Sequence, residues 1–128
     1  MHAVHAVAML ALIQYLTFAG LAGRARSRYG IKAPAVTGHE GFERIYRVQM
    51  NTLELLVALL PAMYVAAAYW SPVVVAAAGM VYLVGRVLYW RAYMHHPRQR
   101  GAGFVLSIVP VYALVLAALV AAVLSALR

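Results

Sequence analysis

The stretch Tyr46–Tyr64, YRVQMNTLELLVALLPAMY, decides the fold of this chain, because it has the length and composition of a membrane-spanning helix. Arg47, Asn51 and Glu54 are spaced at i, i+4 and i+7, so they share one helix face, and we expect Gln49 beside them. A charge at bilayer depth costs at least ~2.5–3.5 kcal/mol, so it must face protein, water or a ligand. The row therefore indicates either a binding site or a buried polar bridge between helices.

The overall composition is that of a membrane protein. Of 128 residues, 66% are apolar, whereas soluble domains have roughly 45–50%. Eleven Lys and Arg stand against three acidic residues, but the basic residues cluster in two short segments between apolar runs, which marks membrane orientation rather than nucleic-acid binding. The chain has no cysteine, so any thiol that reacts here belongs to a substrate.

Four apolar runs are each long enough to cross the bilayer, at residues 3–23, 46–70, 73–95 and 103–127. The first run lacks the basic segment that begins a signal peptide, and Pro72 separates the second from the third. The runs are rich in Ala, Leu and Val without a period of two, which argues against a barrel. The sequence thus predicts an all-α integral membrane protein, a four-transmembrane-helix bundle whose single domain covers residues 1–128.

Charge asymmetry predicts the orientation. The loop at residues 24–44 and the loop at residues 95–100 are basic, whereas the turn at Ser71 and the N-terminus carry no Lys or Arg. The positive-inside rule then places both basic loops in the cytoplasm and both termini outside. No metal site is expected at His95 and His96, because adjacent histidines on a helix point ~100° apart.

A second polar constellation lies on the third span. Arg86, Tyr89 and Tyr93 follow i, i+3 and i+7, and Arg98 and Arg100 come just past the end of that span. Span two begins at the side where span three ends, so the two constellations can converge on one pocket. Guanidinium groups there would bind carboxylates, and a single glutamate would bind an ammonium. The alternatives are an interfacial aromatic belt for the tyrosines and plain topology markers for the last two arginines.

The polar side chains also predict that copies of the chain assemble into an oligomer. A protomer of four helices has too little interior to hide Arg47, Asn51, Glu54 and Arg86 from lipid, so we expect an interface shared between copies.

The segment GHEGFERIYRVQMNTLE, residues 38–54, closely resembles the signature of the MAPEG family, the membrane-associated proteins of eicosanoid and glutathione metabolism. The family pattern is Gly, then Phe-Glu-Arg, an aromatic, Arg, Gln, Asn and a Glu three residues on, and each position is filled here. The similarity extends to Gly23–Arg26 before the segment, to Lys32-Ala-Pro in the loop and to the tyrosines of span three. The loop and the short termini resemble those of bacterial members.

The resemblance implies a homotrimer in the bacterial inner membrane, with glutathione as co-substrate between neighbouring subunits near the cytoplasmic face. The residues that match glutathione-binding positions of the family are Arg26, Arg47, Gln49, Asn51, Glu54, Tyr89 and Tyr93. Arg86 shares the face of the two tyrosines, and we place it in the same site. Arg100 matches the arginine that activates the thiol, with Arg98 as the alternative. The leukotriene-forming members have Tyr where this chain has Leu55.

The sequence and the resemblance together predict a glutathione transferase or peroxidase that acts on lipophilic electrophiles or lipid hydroperoxides. One alternative is a non-catalytic lipid-binding or scaffold protein of the same family, which the loss of the thiol-activating arginine would favour. Another is a small multidrug-type transporter. That alternative fits four spans and Glu54, but the charges lie at helix ends rather than in mid-membrane.

Overall fold

The computed structural model describes residues 1–128 and is entirely helical. The four long helices are α1 (His2–Tyr29), α2 (Glu40–Tyr69), α3 (Pro72–His95) and α4 (Gly101–Ala126), with a short 3-10 helix at Pro97–Gln99. All four are long and apolar enough to cross a membrane. The expectation of an all-α protein with four candidate spans is therefore confirmed.

The predicted loop at residues 24–44 is wrong in extent, because helix continues on both sides of it. α1 runs on to Tyr29, and α2 begins at Glu40, so the linker is only residues 30–39. Hydrophobicity marks where a helix leaves the lipid, not where the backbone stops being helical. Gly30 ends α1 in the left-handed conformation at φ 68°, and the His39 ring accepts a hydrogen bond from the Gly41 N–H at 3.0 Å to cap α2.

The helices pack as one bundle in which α2 contacts the other three, and α3 also packs against α1 and α4. The main core lies in the half of the bundle away from the basic loops, and its largest buried side chains are Val4, Leu59, Met63, Val75 and Tyr82. A smaller cluster at the other end contains Phe18, Ile45 and Tyr89. Large apolar side chains such as Leu16 and Val57 remain exposed on the outside, as expected of an integral membrane protein.

α3 and α4 approach so closely that only glycine fits at the contact. A Cβ atom built on Gly85 would lie 2.7 Å from the backbone carbon of Leu106 and from the backbone nitrogen of Ser107. A Cβ on Gly103 would likewise collide with the backbone of Tyr89. Small residues at helix contacts are the usual means of close packing in membranes. These contacts fix the positions of Arg86 and Tyr89 along the bundle axis relative to the start of α4.

Candidate functional site

A hydrogen bond between α2 and α3 joins the two polar constellations. The Arg86 Nη1 donates to Asn51 Oδ1 at 2.7 Å. Asn51 is half-buried and Arg86 has no exposed surface at all. The predicted convergence of the two constellations is thus confirmed for this pair. The alternative of a polar bridge between helices is also correct for these two residues.

The burial of Arg86 corrects the argument for assembly. Four helices do have enough interior to hide this guanidinium, because Asn51 accepts one of its hydrogen bonds and the Tyr89 ring covers it, with Arg86 Cζ 4.1 Å from the ring centroid. Its Nε and Nη2 have no hydrogen-bond partner within the protomer. A ligand arriving from outside meets Asn51 before Arg86, so Arg86 is placed to hold Asn51 rather than to contact a ligand directly.

Two tyrosine rings and an arginine continue the row toward the start of α4. The rings of Tyr89 and Tyr93 lie 5.5 Å apart, and the Arg100 guanidinium lies 5.5 Å from the centroid of the Tyr93 ring. Arg100 is exposed and donates through Nη1 to the Pro97 carbonyl at 2.7 Å, which helps to orient it. Tyr89 is buried, so the interpretation of an aromatic belt is wrong for that residue. Asn51, Arg86, Tyr89, Tyr93 and Arg100 form one connected row.

The charged members of the α2 row point away from the protomer. Arg47 and Glu54 are exposed, in contrast to Asn51 between them. Neither forms an ion pair within the chain. For these two residues the expectation that a single protomer cannot hide them holds, and their positions suit a ligand or a second copy.

Gln49 and Arg26 lie on a different side of α2, and the expectation that Gln49 stands beside the row is wrong. At ~100° per residue, Gln49 is ~160° from Asn51 around the helix. Gln49 shares its face with Phe42, seven residues earlier, and the Arg26 guanidinium covers the Phe42 ring at 4.6 Å from the centroid. Arg26 also donates to the Ala35 carbonyl at 2.6 Å. Gln49 and Arg26 thus form a second group, on a different side of α2 from Arg47, Asn51 and Glu54.

Arg98 is exposed in the short helix before α4 and forms no side-chain contact with the tyrosines, so it lies apart from the row. Arg44 was missed as a structural residue. It donates through Nη1 to the Met94 carbonyl at 2.9 Å and pairs with Glu40. Its place in the Phe-Glu-Arg part of the motif was a signal for this role, since it fastens the start of α2 to the end of α3.

The arrangement suits an anionic ligand that also carries one positive group. Arg47 and Arg100 present guanidinium groups to the outside, and Glu54 offers the one carboxylate of the α2 row. Guanidinium pairs well with carboxylates and stabilises a thiolate, whereas a glutamate binds an ammonium. The buried Asn51–Arg86 pair gives this surface a fixed base.

Comparison with known proteins identifies the family. The MAPEG family profile matches residues 4–120. An uncharacterised protein of Synechocystis sp. is 42% identical over 113 residues, which cover 88% of this chain and 82% of that protein. Human microsomal glutathione S-transferase 2 is 37% identical over 103 residues, 80% of this chain and 70% of the relative. Bovine leukotriene C4 synthase is 36% identical over 76 residues, 59% of this chain and 51% of the relative. This chain belongs to the MAPEG family, as its motif predicts.

Proposed function

We propose that this protein is a glutathione-dependent transferase or peroxidase that acts on lipophilic electrophiles or lipid hydroperoxides in the membrane. The observation that carries the proposal is the connected row from Asn51 through Arg86, Tyr89 and Tyr93 to Arg100, which the fold assembles from α2, α3 and the turn before α4. Relatives named as a glutathione S-transferase and a leukotriene synthase support the chemistry.

Glutathione matches the charges of the site. It has two carboxylates, one ammonium and a thiol, and the exposed side chains offer separate arginines and one glutamate. In the proposal Arg47 binds a carboxylate, Glu54 binds the ammonium, and Asn51 and Tyr93 hydrogen-bond the peptide backbone. Arg86 acts as a positioning residue behind Asn51. The thiol then points toward Arg100 at the other end of the row.

The separation of the predicted residues into two groups supports a site between copies of the chain. Gln49 and Arg26 cannot reach a ligand that sits on Arg47 and Glu54 of the same protomer, because they lie on the other side of α2. A neighbouring copy that presents its Gln49 and Arg26 to this surface would complete the site and cover both exposed charges. We propose a homotrimer, the number being that of the family pattern.

Activation of the thiol is assigned to Arg100. A free thiol is a weak nucleophile near neutral pH because only a few per cent is ionised. A guanidinium within a few ångströms lowers the thiol's pKa and increases the reactive thiolate. Arg100 fits this role better than Arg98, since Arg100 stacks on Tyr93 whereas Arg98 lies apart. The electrophile enters from the lipid, and the thiolate attacks its acceptor carbon; the new C–S bond forms as a leaving group departs with its electron pair, or as a π bond or epoxide ring opens and the resulting anion takes up a proton. With a lipid hydroperoxide the thiolate attacks the terminal oxygen and the O–O bond breaks, releasing the lipid alcohol after protonation. A second glutathione then reduces the sulfenic acid, which gives glutathione disulfide and water.

Binding is tested by thermal unfolding of the detergent-purified protein with glutathione, with cysteine, and with the glutathione analogue that carries a methyl group in place of the thiol. Glutathione at a hundredfold excess over its Kd should stabilise the protein by ~2.7 kcal/mol, and cysteine, which lacks the outer carboxylates, by much less. The methyl analogue should also stabilise, because it keeps every charged group. Equal stabilisation by all thiols, or by none, would contradict a glutathione site.

Assembly and orientation have independent tests. Native mass spectrometry in a mild detergent should show trimers, and monomers alone would contradict the shared site. For orientation, we propose that the linker at residues 30–39 lies in the cytoplasm with both termini outside. Thr37 is exposed in that linker and the chain has no cysteine, so a Thr37→Cys variant carries a single thiol. An impermeant reagent should leave it unlabelled in intact cells; labelling there means that the orientation is reversed.

A further inference from the structure

A cavity with a basic rim lies between α1 and α3 beside the start of α2, apart from the row described above. Its volume is about 570 Å³, and it is lined by three arginines, Arg24, Arg28 and Arg91, together with His95. No residue that lines it is acidic. The three arginines are exposed, and none of them forms a salt bridge or a side-chain hydrogen bond within the chain. The carboxylate of Glu40, the residue before the lining residue Gly41, is already paired with Arg44.

The floor of this cavity is apolar. Leu21, Ile45, Trp90 and Met94 line it below the arginines, and Trp90 packs on Phe18 with ring centroids 5.6 Å apart. The cavity lies at the end of the bundle that carries the basic loops, where the helices leave the hydrocarbon. A ligand that fits must therefore have an anionic head and an apolar body.

A second, apolar cavity lies between α1 and α3 deeper in the membrane, and the two cavities are together called the groove. It measures about 450 Å³ and is lined by Leu10, Ile13, Leu83 and other aliphatic side chains, with Gln14 as the one polar residue. Gln14 is already engaged, since its Nε2 donates to the Leu83 carbonyl at 2.9 Å. From Arg24 to Ile13 the groove descends ~16 Å along α1, at 1.5 Å per residue. That depth is about one leaflet of a ~30 Å hydrocarbon core.

We propose that this groove is a binding site for one anionic phospholipid of the surrounding membrane. The headgroup phosphate lies among Arg24, Arg28 and Arg91, and one acyl chain follows the groove past Trp90 to the apolar cavity. Guanidinium groups are the preferred partners of phosphate, and basic pockets between transmembrane helices are typical sites for anionic headgroups. The site is independent of glutathione, because none of its lining residues belongs to the row that ends at Arg100.

Two alternatives to a lipid follow from the same chemistry. Free phosphate would satisfy the arginines but would leave the apolar cavity without a role. A neighbouring copy of the chain could cover the groove, but none of the four residues that we place at the contact between copies, Arg47 and Glu54 on one side and Arg26 and Gln49 on the other, lines either cavity. The observations favour the lipid, because the basic cavity lies at the membrane surface and the apolar cavity lies deeper, as the headgroup and the acyl chain of a phospholipid do.

The chain has two tryptophans, so Trp90 reports on the groove in a Trp70→Phe background, whose remaining tryptophan lines the basic cavity. The protein is reconstituted in phosphatidylcholine vesicles that contain phospholipid brominated near the ester end of the acyl chains. The brominated lipid is either phosphatidylglycerol, which is anionic, or phosphatidylcholine at the same mole fraction. Bromine quenches tryptophan fluorescence only on close contact, so the degree of quenching measures occupancy of the groove.

Brominated phosphatidylglycerol should quench Trp90 at a lower mole fraction than brominated phosphatidylcholine. One basic side chain near a membrane surface contributes roughly fivefold in affinity for anionic lipid, so Arg24→Gln and Arg91→Gln should each reduce the preference by about that factor. Lys32→Gln is the matched control. It removes one charge from the same end of the bundle outside the groove and should leave the preference unchanged.

Several outcomes would overturn the proposal. Equal quenching by both lipids would make Trp90 an ordinary interfacial tryptophan. A preference that survives both arginine substitutions would place the anionic lipid elsewhere. No quenching by either lipid would mean that another copy of the chain covers the groove. Relief of quenching by inorganic phosphate would make the site one for free phosphate.

Discussion

The two ends of this bundle are built from the same four helices but are stabilised differently. At the end away from the basic loops, apolar side chains such as Leu59, Met63 and Val75 fill the core. At the basic end, the apolar cluster around Phe18 and Ile45 is smaller, and a guanidinium, an amide and aromatic rings lie beside it, with Arg86 completely buried. The first arrangement serves stability, whereas the second keeps polar groups in fixed positions beneath an exposed charged surface.

This difference predicts how each end responds to change. Apolar side chains can shift to absorb an added atom, whereas a hydrogen-bonded pair and a backbone contact cannot. Substitutions at the basic end should therefore separate into those that lower stability and those that lower ligand affinity.

The largest effect is expected at the glycine contact beside Arg86. Gly85→Ala places a Cβ against the α4 backbone at 2.7 Å and should cost about 3 kcal/mol, because neither helix backbone can yield. Gly79→Ala at the apolar end meets Val7 Cγ1 at 2.5 Å and Met63 Cε at 3.0 Å, which are side-chain rather than backbone atoms. The Met63 side chain can turn aside, whereas the β-branched Val7 must change its χ1 rotamer, so the substitution should cost about 2 kcal/mol, less than Gly85→Ala. Unfolding of both variants in detergent gives the comparison.

Gly20→Ala is the control for the change in helix propensity, since nothing lies within 4 Å of its added carbon. It should be neutral or slightly stabilising. If Gly79→Ala costs as much as Gly85→Ala, the two ends are packed alike and the comparison fails.

The buried pair comes next. Asn51→Leu leaves the Arg86 guanidinium without a hydrogen-bond partner and should cost about 2 kcal/mol, since a hydrogen bond to a charged group is lost. Arg86→Met removes the charge together with the desolvation cost of burying it, so the loss of stability should be smaller, about 1 kcal/mol. Chemical unfolding of the two variants in one detergent measures the difference. The reverse order would mean that Arg86 stabilises the fold through contacts other than Asn51.

The exposed charges should affect binding alone. Glu54→Gln and Arg47→Gln should each raise the Kd for glutathione roughly tenfold, or ~1.5 kcal/mol, while the unfolding midpoint of the ligand-free protein stays the same. Val57→Ala, an exposed change one turn beyond Glu54, is the control and should alter neither quantity. Isothermal titration and unfolding on the same preparations separate the two effects. Lower stability with unchanged affinity would make Glu54 a structural residue instead.

The smallest effect is expected at the surface ion pair. Glu40→Gln removes the partner of Arg44 on an exposed helix turn and should cost no more than about 0.5 kcal/mol. Arg44 keeps its hydrogen bond to the Met94 carbonyl, so the end of α3 stays attached to α2. The unfolding midpoint at low salt measures this cost in stability. A cost several times larger would show that this pair, rather than Asn51–Arg86, organises the basic end.

The sequence predicted which helices exist and that the polar faces of the second and third spans meet, as they do at Asn51 and Arg86, because apolar runs of ~20 residues and i, i+3, i+4 spacing are local properties. It predicted neither the helical turns at Arg24–Tyr29 nor those before Tyr46, since hydropathy does not report helix beyond the lipid. It also could not show that Asn51 covers Arg86 while Arg47 and Glu54 face outward. Burial of that kind depends on how α3 is oriented against both α2 and α4, and the close contacts of Gly85 and Gly103 set its position against α4.

Gln49 shows a different limit. The motif places it within two residues of Asn51, but helix geometry sends the two side chains to opposite sides of α2. The linear sequence motif therefore contains residues whose side chains cannot contact the same ligand within one protomer. Arg26 covers Phe42 on the same side of α2 as Gln49, so Arg26 and Gln49 form a group separate from Asn51.

The central claim is that the row ending at Arg100 binds glutathione and holds it as the thiolate. The most direct measurement is the ultraviolet absorbance of the thiolate as glutathione is added to wild type, Arg100→Gln and Arg98→Gln. Wild type and Arg98→Gln should show a thiolate signal that saturates with binding near neutral pH, because Arg100 lowers the thiol's pKa in both. Arg100→Gln should bind glutathione without that signal. A full signal in Arg100→Gln, or binding by wild type with no thiolate, would contradict the account, and the second result would favour a non-catalytic scaffold.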